Sequence, residues 1–218
     1  MLTIAIQAGG NSSRMGREKA FLEFAGKPLI QHVLEQLQPV ADEILITGGE
    51  PGKYRLFNAR LCADFLPQRG GLVGLYTALS CATHSVVGIV ACDMPFASPR
   101  LFKYEARLLV EEGWDVVIPS TPLGLEPLHA VYCKEGCLAA VQAAIQLGKK
   151  RLISWHSSVR VRGLSLEEIA EVDPSQHIFF NINTEDDLIK ARMILVSQNK
   201  EQEGDLREVS PGLSLKNE

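Results

Sequence analysis

The residues with the clearest chemical meaning lie near the start of the chain, in a short loop after an apolar run. A glycine pair, Gly9 and Gly10, is followed closely by Arg14 and Lys19. Glycines let backbone N–H groups approach an anion, and Arg and Lys neutralise phosphate charge. The spacing matches neither G-x-x-x-x-G-K-S/T nor G-x-G-x-x-G. The loop is therefore predicted to bind a nucleoside triphosphate in a way that differs from both of those phosphate loops.

Two carboxylates follow apolar runs further along the chain. Asp93 comes directly after the run that ends at Cys92, and Asp64 comes after the weaker run 60–63. A single hard oxygen ligand at the end of a strand suits Mg²⁺, because water and phosphate oxygens complete its octahedron. Asp93 is therefore the candidate metal ligand. The structural alternatives are that Asp93 caps the next helix and that Asp64 forms a turn.

Segments with strand-like and helix-like patterns alternate along the chain, and they must position these residues. The predicted strands are Leu2–Gln7, Glu43–Thr47, 60–63, Val86–Ala91, 116–118, 128–132 and 177–181. The predicted helices are one that begins after Pro28 and those over 73–81, 99–111, 135–147 and 184–196. This alternation predicts an α/β fold with a mostly parallel sheet and helices on both faces, in three layers αβα. In the last helix Thr184 is the expected N-cap, and the acidic first turn suits the helix dipole.

Composition limits the classes of function. The chain has 218 residues, is 46% hydrophobic and has a net charge of −4, which does not favour nucleic acid or an anionic membrane as a partner. No signal-peptide pattern and no membrane-length apolar run is present. The five cysteines contain no C-x-x-C and predict reduced, buried thiols in a cytoplasmic protein. We expect one domain over 1–196 and a disordered tail over 197–218.

Five motifs in this order resemble a known family. The loop over residues 7–19 is similar to that of nucleotidyltransferases with a Rossmann-like core, and most similar to that of the molybdenum cofactor guanylyltransferases. The Cys-Asp-Met-Pro at 92–95 and the segments 70–79, 126–132 and 181–188 are also similar to family motifs. Gln7 stands in place of the usual Leu, Glu18 in place of Asp, and Gly71 in place of Pro.

This resemblance implies a Mg²⁺-dependent transfer of GMP from GTP to the phosphate of molybdenum–molybdopterin, with release of pyrophosphate. It further implies delivery of the product to molybdoenzymes or their chaperones. The implied catalytic residues are Arg14, Lys19 and Asp93. The implied nucleotide contacts are Gln7, Ala8, Gly9, Gly10, Lys19, Asp64, Gly71 and Asp93, with Asp93 as the metal ligand. The implied acceptor contacts are Glu126, Asn181 and Asn183.

The residues leave some alternatives open. The turn after the second predicted strand is Thr-Gly-Gly at 47–49, where guanine-specific relatives often carry an Asn. Cytidylyl transfer, or transfer to a sugar or alcohol phosphate, therefore remains an alternative. A carrier of cofactor or nucleotide without catalysis is an alternative of another class. Two roles are open for Asn181 and Asn183: contact with the acceptor, or completion of the turn before the last helix. Two roles are also open for the basic run 149–151: contact with the acceptor phosphate, or exposure to solvent.

Overall fold

The computed structural model of the chain describes residues 1–8, 18–49, 51–66, 68 and 70–208, with backbone alone at position 51 and over 199–208. The strands of this described part are β1 (Leu2–Gln7), β2 (Glu23–Phe24), β3 (Lys27–Pro28), β4 (Glu43–Thr47), β5 (Arg60–Cys62), β6 (Val86–Ala91), β7 (Val116–Thr121), β8 (Gly124–Leu125), β9 (His129–Cys133) and β10 (Val161–Leu164). Its helices are α1 (Leu29–Leu37), α2 (Gly71–Cys81), α3 (Pro99–Glu111), α4 (Lys134–Gln146), α5 (Leu166–Val172) and α6 (Glu185–Glu208).

A central sheet carries the order β10-β7-β9-β6-β1-β4-β5, with β8 paired to β7. Strand β9 is antiparallel to β6 and β7, and the other pairs along this path are parallel. Gln7 at the end of β1 lies opposite Thr47 of β4 and Ala91 of β6. The strands β1, β4, β5 and β6 therefore end at one side of the sheet, which we call the carboxyl edge.

Helices cover both faces of this sheet because alternate residues of its strands are apolar on each side. Ile4 and Ile6 of β1 pack with residues of α1 and α3 on one face. Ala5 packs with residues of α2 and α4 on the other face. This arrangement confirms the predicted α/β fold with a mostly parallel sheet between two helical layers.

Local signals explain where two helices begin. The Ser98 hydroxyl accepts a hydrogen bond from the Leu101 N–H, and Pro99 occupies the first position of α3. Ser165 and Glu168 form a capping box at the start of α5. These caps satisfy backbone donors that the first helical turn leaves without intrahelical partners.

The structure differs from the sequence-based elements in several places. Residues 177–181 were expected as a strand but form a turn, whereas β10 and α5 were not expected. Helix α6 continues to Glu208, beyond the expected end at 196. Cys62 and Cys81 form a disulfide, so the expectation that all five thiols are reduced is wrong for this pair.

The chain forms two compact units, Met1–Asn181 and Ile182–Glu218. The first contains the sheet and helices α1 to α5, and the second contains α6. Within the second unit, Asp187 accepts hydrogen bonds from the N–H groups of Asn183 and Thr184, and its own N–H donates to the Thr184 hydroxyl. This confirms Thr184 as the cap and gives Asp187 a structural role. Among the described residues, no helix is both long and apolar enough to cross a bilayer.

Candidate active site

Lys19 and Asp93 meet at the carboxyl edge. The Lys19 ammonium lies 2.9 Å from Oδ2 of Asp93, and the two side chains are only 24% and 14% exposed. Lys19 opens a short helical turn over Lys19–Phe21, after the predicted phosphate loop. Asp93 follows β6 in a turn in which the Met94 N–H donates to the Ala91 carbonyl. The structure thus brings together two of the three residues expected to be catalytic, although they are 74 positions apart.

Backbone contacts fix this turn against β1. The Cys92 N–H donates to the Gln7 carbonyl at 3.1 Å, and the Ala8 N–H donates to the Thr47 carbonyl at 2.9 Å. These bonds extend the β6–β1–β4 pairing past the ends of the strands. The start of the predicted phosphate loop and the carboxylate of Asp93 are therefore held in one backbone framework.

The donor set at this edge fits Mg²⁺ better than a metal that needs a cage of protein ligands. The described residues contain no cluster of three or more His, Cys, Asp or Glu side chains placed to bind a metal ion. Mg²⁺ is commonly held by one or two carboxylates, with water and phosphate oxygens as its other ligands. The largely buried Asp93 carboxylate beside a lysine that can bind phosphate matches that pattern.

Glu18, the residue before Lys19, contacts the short helix Pro51–Tyr54. Its carboxylate accepts hydrogen bonds from the Lys53 ammonium at 2.9 Å and the Tyr54 hydroxyl at 3.3 Å. The Tyr54 ring is fully buried and packs against Phe21. Glu18 stands where the family usually carries an Asp, and in this chain its carboxylate contacts both partners. Sequence reasoning noted Glu18 but missed Lys53 and Tyr54, because no motif includes them.

The expected nucleotide contacts near β5 and α2 lie on one side of Asp93. Asp64 is exposed two residues after β5, and its Oδ1 accepts a hydrogen bond from the buried Thr77 hydroxyl of α2 at 3.1 Å. Strand β5 is three positions from β6, so the two strand ends are ~14 Å apart. Asp64 therefore does not lie beside Asp93, and its expected contact with the nucleotide stays a prediction.

Gly71, the first residue of α2, is closely packed. A Cβ at Gly71 would lie 3.0 Å from a methyl carbon of Leu152. The preceding Gly70 has φ of +145°, a conformation that L side chains rarely adopt. A larger residue at position 70 would therefore strain the backbone before α2, whereas one at position 71 would require the Leu152 side chain to shift.

Of the expected acceptor contacts, Glu126 lies on the other side of Asp93, because β9 pairs with β6 on the side away from β1. Glu126 precedes β9, accepts a hydrogen bond from the Thr121 hydroxyl at 3.2 Å, and has its pKa raised by burial. The nearby Leu128 carbonyl accepts from the Ala91 N–H at 3.3 Å, which joins this segment to the end of β6. Glu126 is thus placed near the carboxyl edge.

The two asparagines make local contacts. The Asn181 amide donates to the Phe179 carbonyl at 3.0 Å, and the Asn183 N–H donates to Asp187 at the start of α6. The exposed basic run 149–151 includes Lys149, whose ammonium donates to the Ser154 carbonyl. These contacts agree with the structural alternative for each residue, and their expected roles toward the acceptor stay predictions. Gly9, Gly10 and Arg14 lie outside the described residues.

A mostly parallel α/β sheet with a Lys–Asp pair at its carboxyl edge is the architecture expected of a nucleotidyltransferase. Comparison with known proteins agrees: the model of the MobA-like NTP transferase domain matches residues 4–161. The chain belongs to this family, and within it to the molybdenum cofactor guanylyltransferases, as its relatives show.

One relative, named probable molybdenum cofactor guanylyltransferase, from Pelotomaculum thermopropionicum, is 38% identical over 88% of this chain and 92% of its own length. The molybdenum cofactor guanylyltransferase of Desulfosudis oleivorans is 36% identical over 87% of this chain and 94% of its own. The crystal structure of molybdopterin-guanine dinucleotide biosynthesis protein A from Archaeoglobus fulgidus superposes with a TM-score of 0.79 at 27% identity, covering 89% of this chain and 99% of that one.

Proposed function

We propose that the protein transfers GMP from GTP to the terminal phosphate of molybdenum–molybdopterin and releases pyrophosphate. The Lys19–Asp93 pair at the carboxyl edge, in a chain of this family, is the observation that carries the proposal. An acceptor phosphate oxygen attacks the α-phosphorus of GTP, and the bond from that phosphorus to the β-phosphate oxygen breaks. The proposed compartment is the cytoplasm, and the proposed recipients of the product are molybdoenzymes or their chaperones.

The chain's own residues act mainly by positioning and by neutralising charge. In this proposal Asp93 holds Mg²⁺, which when bound stabilises negative charge on the phosphate oxygens. Lys19 leaves its pairing with Asp93 to neutralise the triphosphate, and Arg14 does the same from the loop. Gln7, Ala8, Gly9 and Gly10 hold the nucleotide, together with Asp64 and Gly71.

The acceptor side needs no strong general base. A phosphate monoester is already anionic at neutral pH, so the attacking oxygen carries no proton that must be removed. Glu126, Asn181 and Asn183 are proposed to orient the acceptor. In this scheme the histidines have no part in the chemistry.

The direct test is pyrophosphate release by the purified protein with Mg²⁺ and molybdopterin, comparing GTP, CTP, ATP and UTP. We expect release with GTP and little with the others. A preference for CTP would retain the reaction type and overturn the choice of base. No release with any of the four, by a folded protein that binds nucleotide, would contradict the proposed acceptor.

The Asp93→Asn variant tests catalysis against a carrier role. We expect pyrophosphate release to fall by roughly 10²–10³-fold, because the amide neither carries the negative charge nor binds Mg²⁺ as well. Asp186→Asn, in the exposed first turn of α6, is the matched control and should leave the rate unchanged. Equal delivery of cofactor by Asp93→Asn and the wild type would favour a carrier.

A further inference from the structure

The end of β1 contains a buried amide that has no partner. Gln7 is only 9% exposed, and its Nε2 makes no hydrogen bond. Thr47, its register partner on β4, is 1% exposed, and its hydroxyl is also unpartnered. Register partners in parallel strands point to the same face, so two unsatisfied polar groups lie side by side at the carboxyl edge. Buried polar groups without hydrogen-bond partners destabilise a fold. The presence of two such groups, on Gln7 and Thr47, therefore needs an explanation.

Helix α2 leaves room for the amide. A Cβ on Gly74, in the first turn of α2, would lie 2.9 Å from Oε1 of Gln7 and 3.0 Å from its Cδ. Only a glycine at position 74 permits this close approach without moving the amide. The Gln7 side chain therefore lies between the end of β1 and the start of α2, where open α/β sheets bind their ligands.

The neighbouring turn offers no side chain to read a nucleobase. Gly48 and Gly49 follow β4 with φ of +76° and +69°. A Cβ on Gly49 would lie 2.7 Å from the ring of Tyr54, so a side chain is excluded there by both conformation and packing. At this end of β1 and β4, Gln7 and Thr47 supply two buried polar side chains.

We propose that the Gln7 amide is a specificity-determining group for the nucleobase: its Nε2 donates a hydrogen bond to the O6 carbonyl of guanine. This inference rests on the proposed function, since it requires GTP as the substrate. An N–H donor distinguishes guanine from adenine, because adenine carries an amino group where guanine carries O6. The base supplies the partner that the amide lacks in the free protein, and Thr47 supplies a second polar group to the same pocket.

The test combines a change in the residue with a change in the base. Dissociation constants of GTP, 6-thio-GTP and ITP are measured by calorimetry for the wild type and for Gln7→Leu. 6-Thio-GTP replaces O6 by a weak acceptor and keeps the 2-amino group, whereas ITP lacks only that amino group. We expect the wild type to bind GTP about tenfold more tightly than 6-thio-GTP. Gln7→Leu should abolish this preference and leave the GTP-to-ITP ratio unchanged.

A second variant moves the amide without removing it. Gly74→Ala places a methyl group against the flexible end of Gln7, so the fold should tolerate it while the amide is displaced. We expect Gly74→Ala to reduce the GTP preference over 6-thio-GTP as well. Gln142→Leu, the same substitution at an exposed position of α4, is the control and should behave as the wild type.

The outcomes separate this inference from the proposed function. A wild type that turns over GTP, with the same GTP-to-6-thio-GTP ratio in Gln7→Leu, overturns the role of Gln7 and leaves guanylyl transfer standing. In that case Gln7→Leu would only raise the melting temperature of the free protein, because an unpaired amide is replaced by an apolar group. A wild type that does not bind GTP overturns both.

Discussion

Glu105 of α3 and His129 of β9 form a fully buried pair of polar side chains. Oε1 of Glu105 lies 3.8 Å from Nδ1 of His129, and neither carboxylate oxygen of Glu105 has a hydrogen-bond partner. Nε2 of His129 accepts a hydrogen bond from the Ser98 N–H, which leaves the ring proton on Nδ1. Burial raises the pKa of Glu105 well above its usual value and lowers the pKa of His129 to about 3. Burial therefore favours the neutral form of both groups in the folded protein.

Glu105→Gln should stabilise the protein at high pH. Because the folded-state pKa of Glu105 is raised, its contribution to stability is fully present below about pH 4.5 and is lost as pH rises toward that pKa. Over this window the loss approaches about 1.4 kcal/mol per pH unit. Urea unfolding from pH 5 to pH 8 should show a smaller decline for Glu105→Gln than for the wild type. Glu111→Gln, at the exposed end of α3, should retain the wild-type slope. Equal slopes for the wild type and Glu105→Gln would show that Glu105 titrates normally.

His129 affects the stability of the protein at acidic pH. Its folded pKa is depressed from 6.5 to about 3, so its contribution to stability is present above about pH 6.5 and is lost as pH falls through that window. Unfolding exposes the imidazole to water, where it takes up a proton. The two windows overlap between about pH 4.5 and pH 6.5, where the opposite slopes offset each other, so together the two groups give a plateau of stability there.

At the scale of elements, the short edge strand β5 depends on α2. Strand β5 has three residues and pairs only with β4. The Cys62–Cys81 disulfide joins the end of β5 to the end of α2, with a Cα–Cα distance of 6.6 Å. The Thr77–Asp64 hydrogen bond joins the same two elements one helical turn away. Together they fix the position of Asp64 at the carboxyl edge.

Reduction of this disulfide should destabilise the protein. The cross-linked cysteines are 19 positions apart, for which loop-closure entropy gives about 3 kcal/mol. Thermal unfolding with and without dithiothreitol should show a lower melting temperature in the reduced protein. Cys81→Ser should match the reduced wild type and should not respond to dithiothreitol.

Cys133→Ser is the control for that experiment. Cys133 is a free thiol at the start of α4, and its variant should keep the full response to dithiothreitol. An unchanged melting temperature of the wild type on reduction would contradict the stabilising role of the bond. Because a cytoplasm keeps thiols reduced, the same comparison shows which stability applies in the proposed compartment.

At the scale of the whole molecule, the expected boundary after Val196 can be tested by truncation. The residues proposed to act in the site all precede Thr184. We therefore expect a chain that ends at Val196 to keep its pyrophosphate release within roughly twofold of the full chain. The measurements are the KM for GTP, kcat, and the melting temperature as a control for folding. A large loss of activity with an unchanged melting temperature would assign a functional role to residues 197–218.

The carboxyl edge could be predicted from the sequence because strands that alternate with helices run parallel and therefore end at the same side of the sheet. Apolar runs identified β1, β4 and β6, and the residues after them were expected to face one edge. The contact between Lys19 and Asp93 confirms that the residues after β1 and β6 meet at this edge. The expected strand at 177–181 was wrong, because an apolar stretch alone does not distinguish a strand from a packed turn.

By itself the sequence determined the fold class, the family and the candidate residues, because apolar periodicity and motif spacing are local properties. Only the tertiary structure decided which side chains meet: Glu18 with Lys53 and Tyr54, Cys62 with Cys81, and Gln7 with Gly74. It also decided that β9 runs antiparallel to β6, which brings Glu126 to the carboxyl edge, and that β9 and β5 lie on opposite sides of β6, which separates Glu126 from Asp64. The physical reason is that these contacts join distant parts of the chain, and their geometry depends on how helices and strands pack rather than on any local pattern.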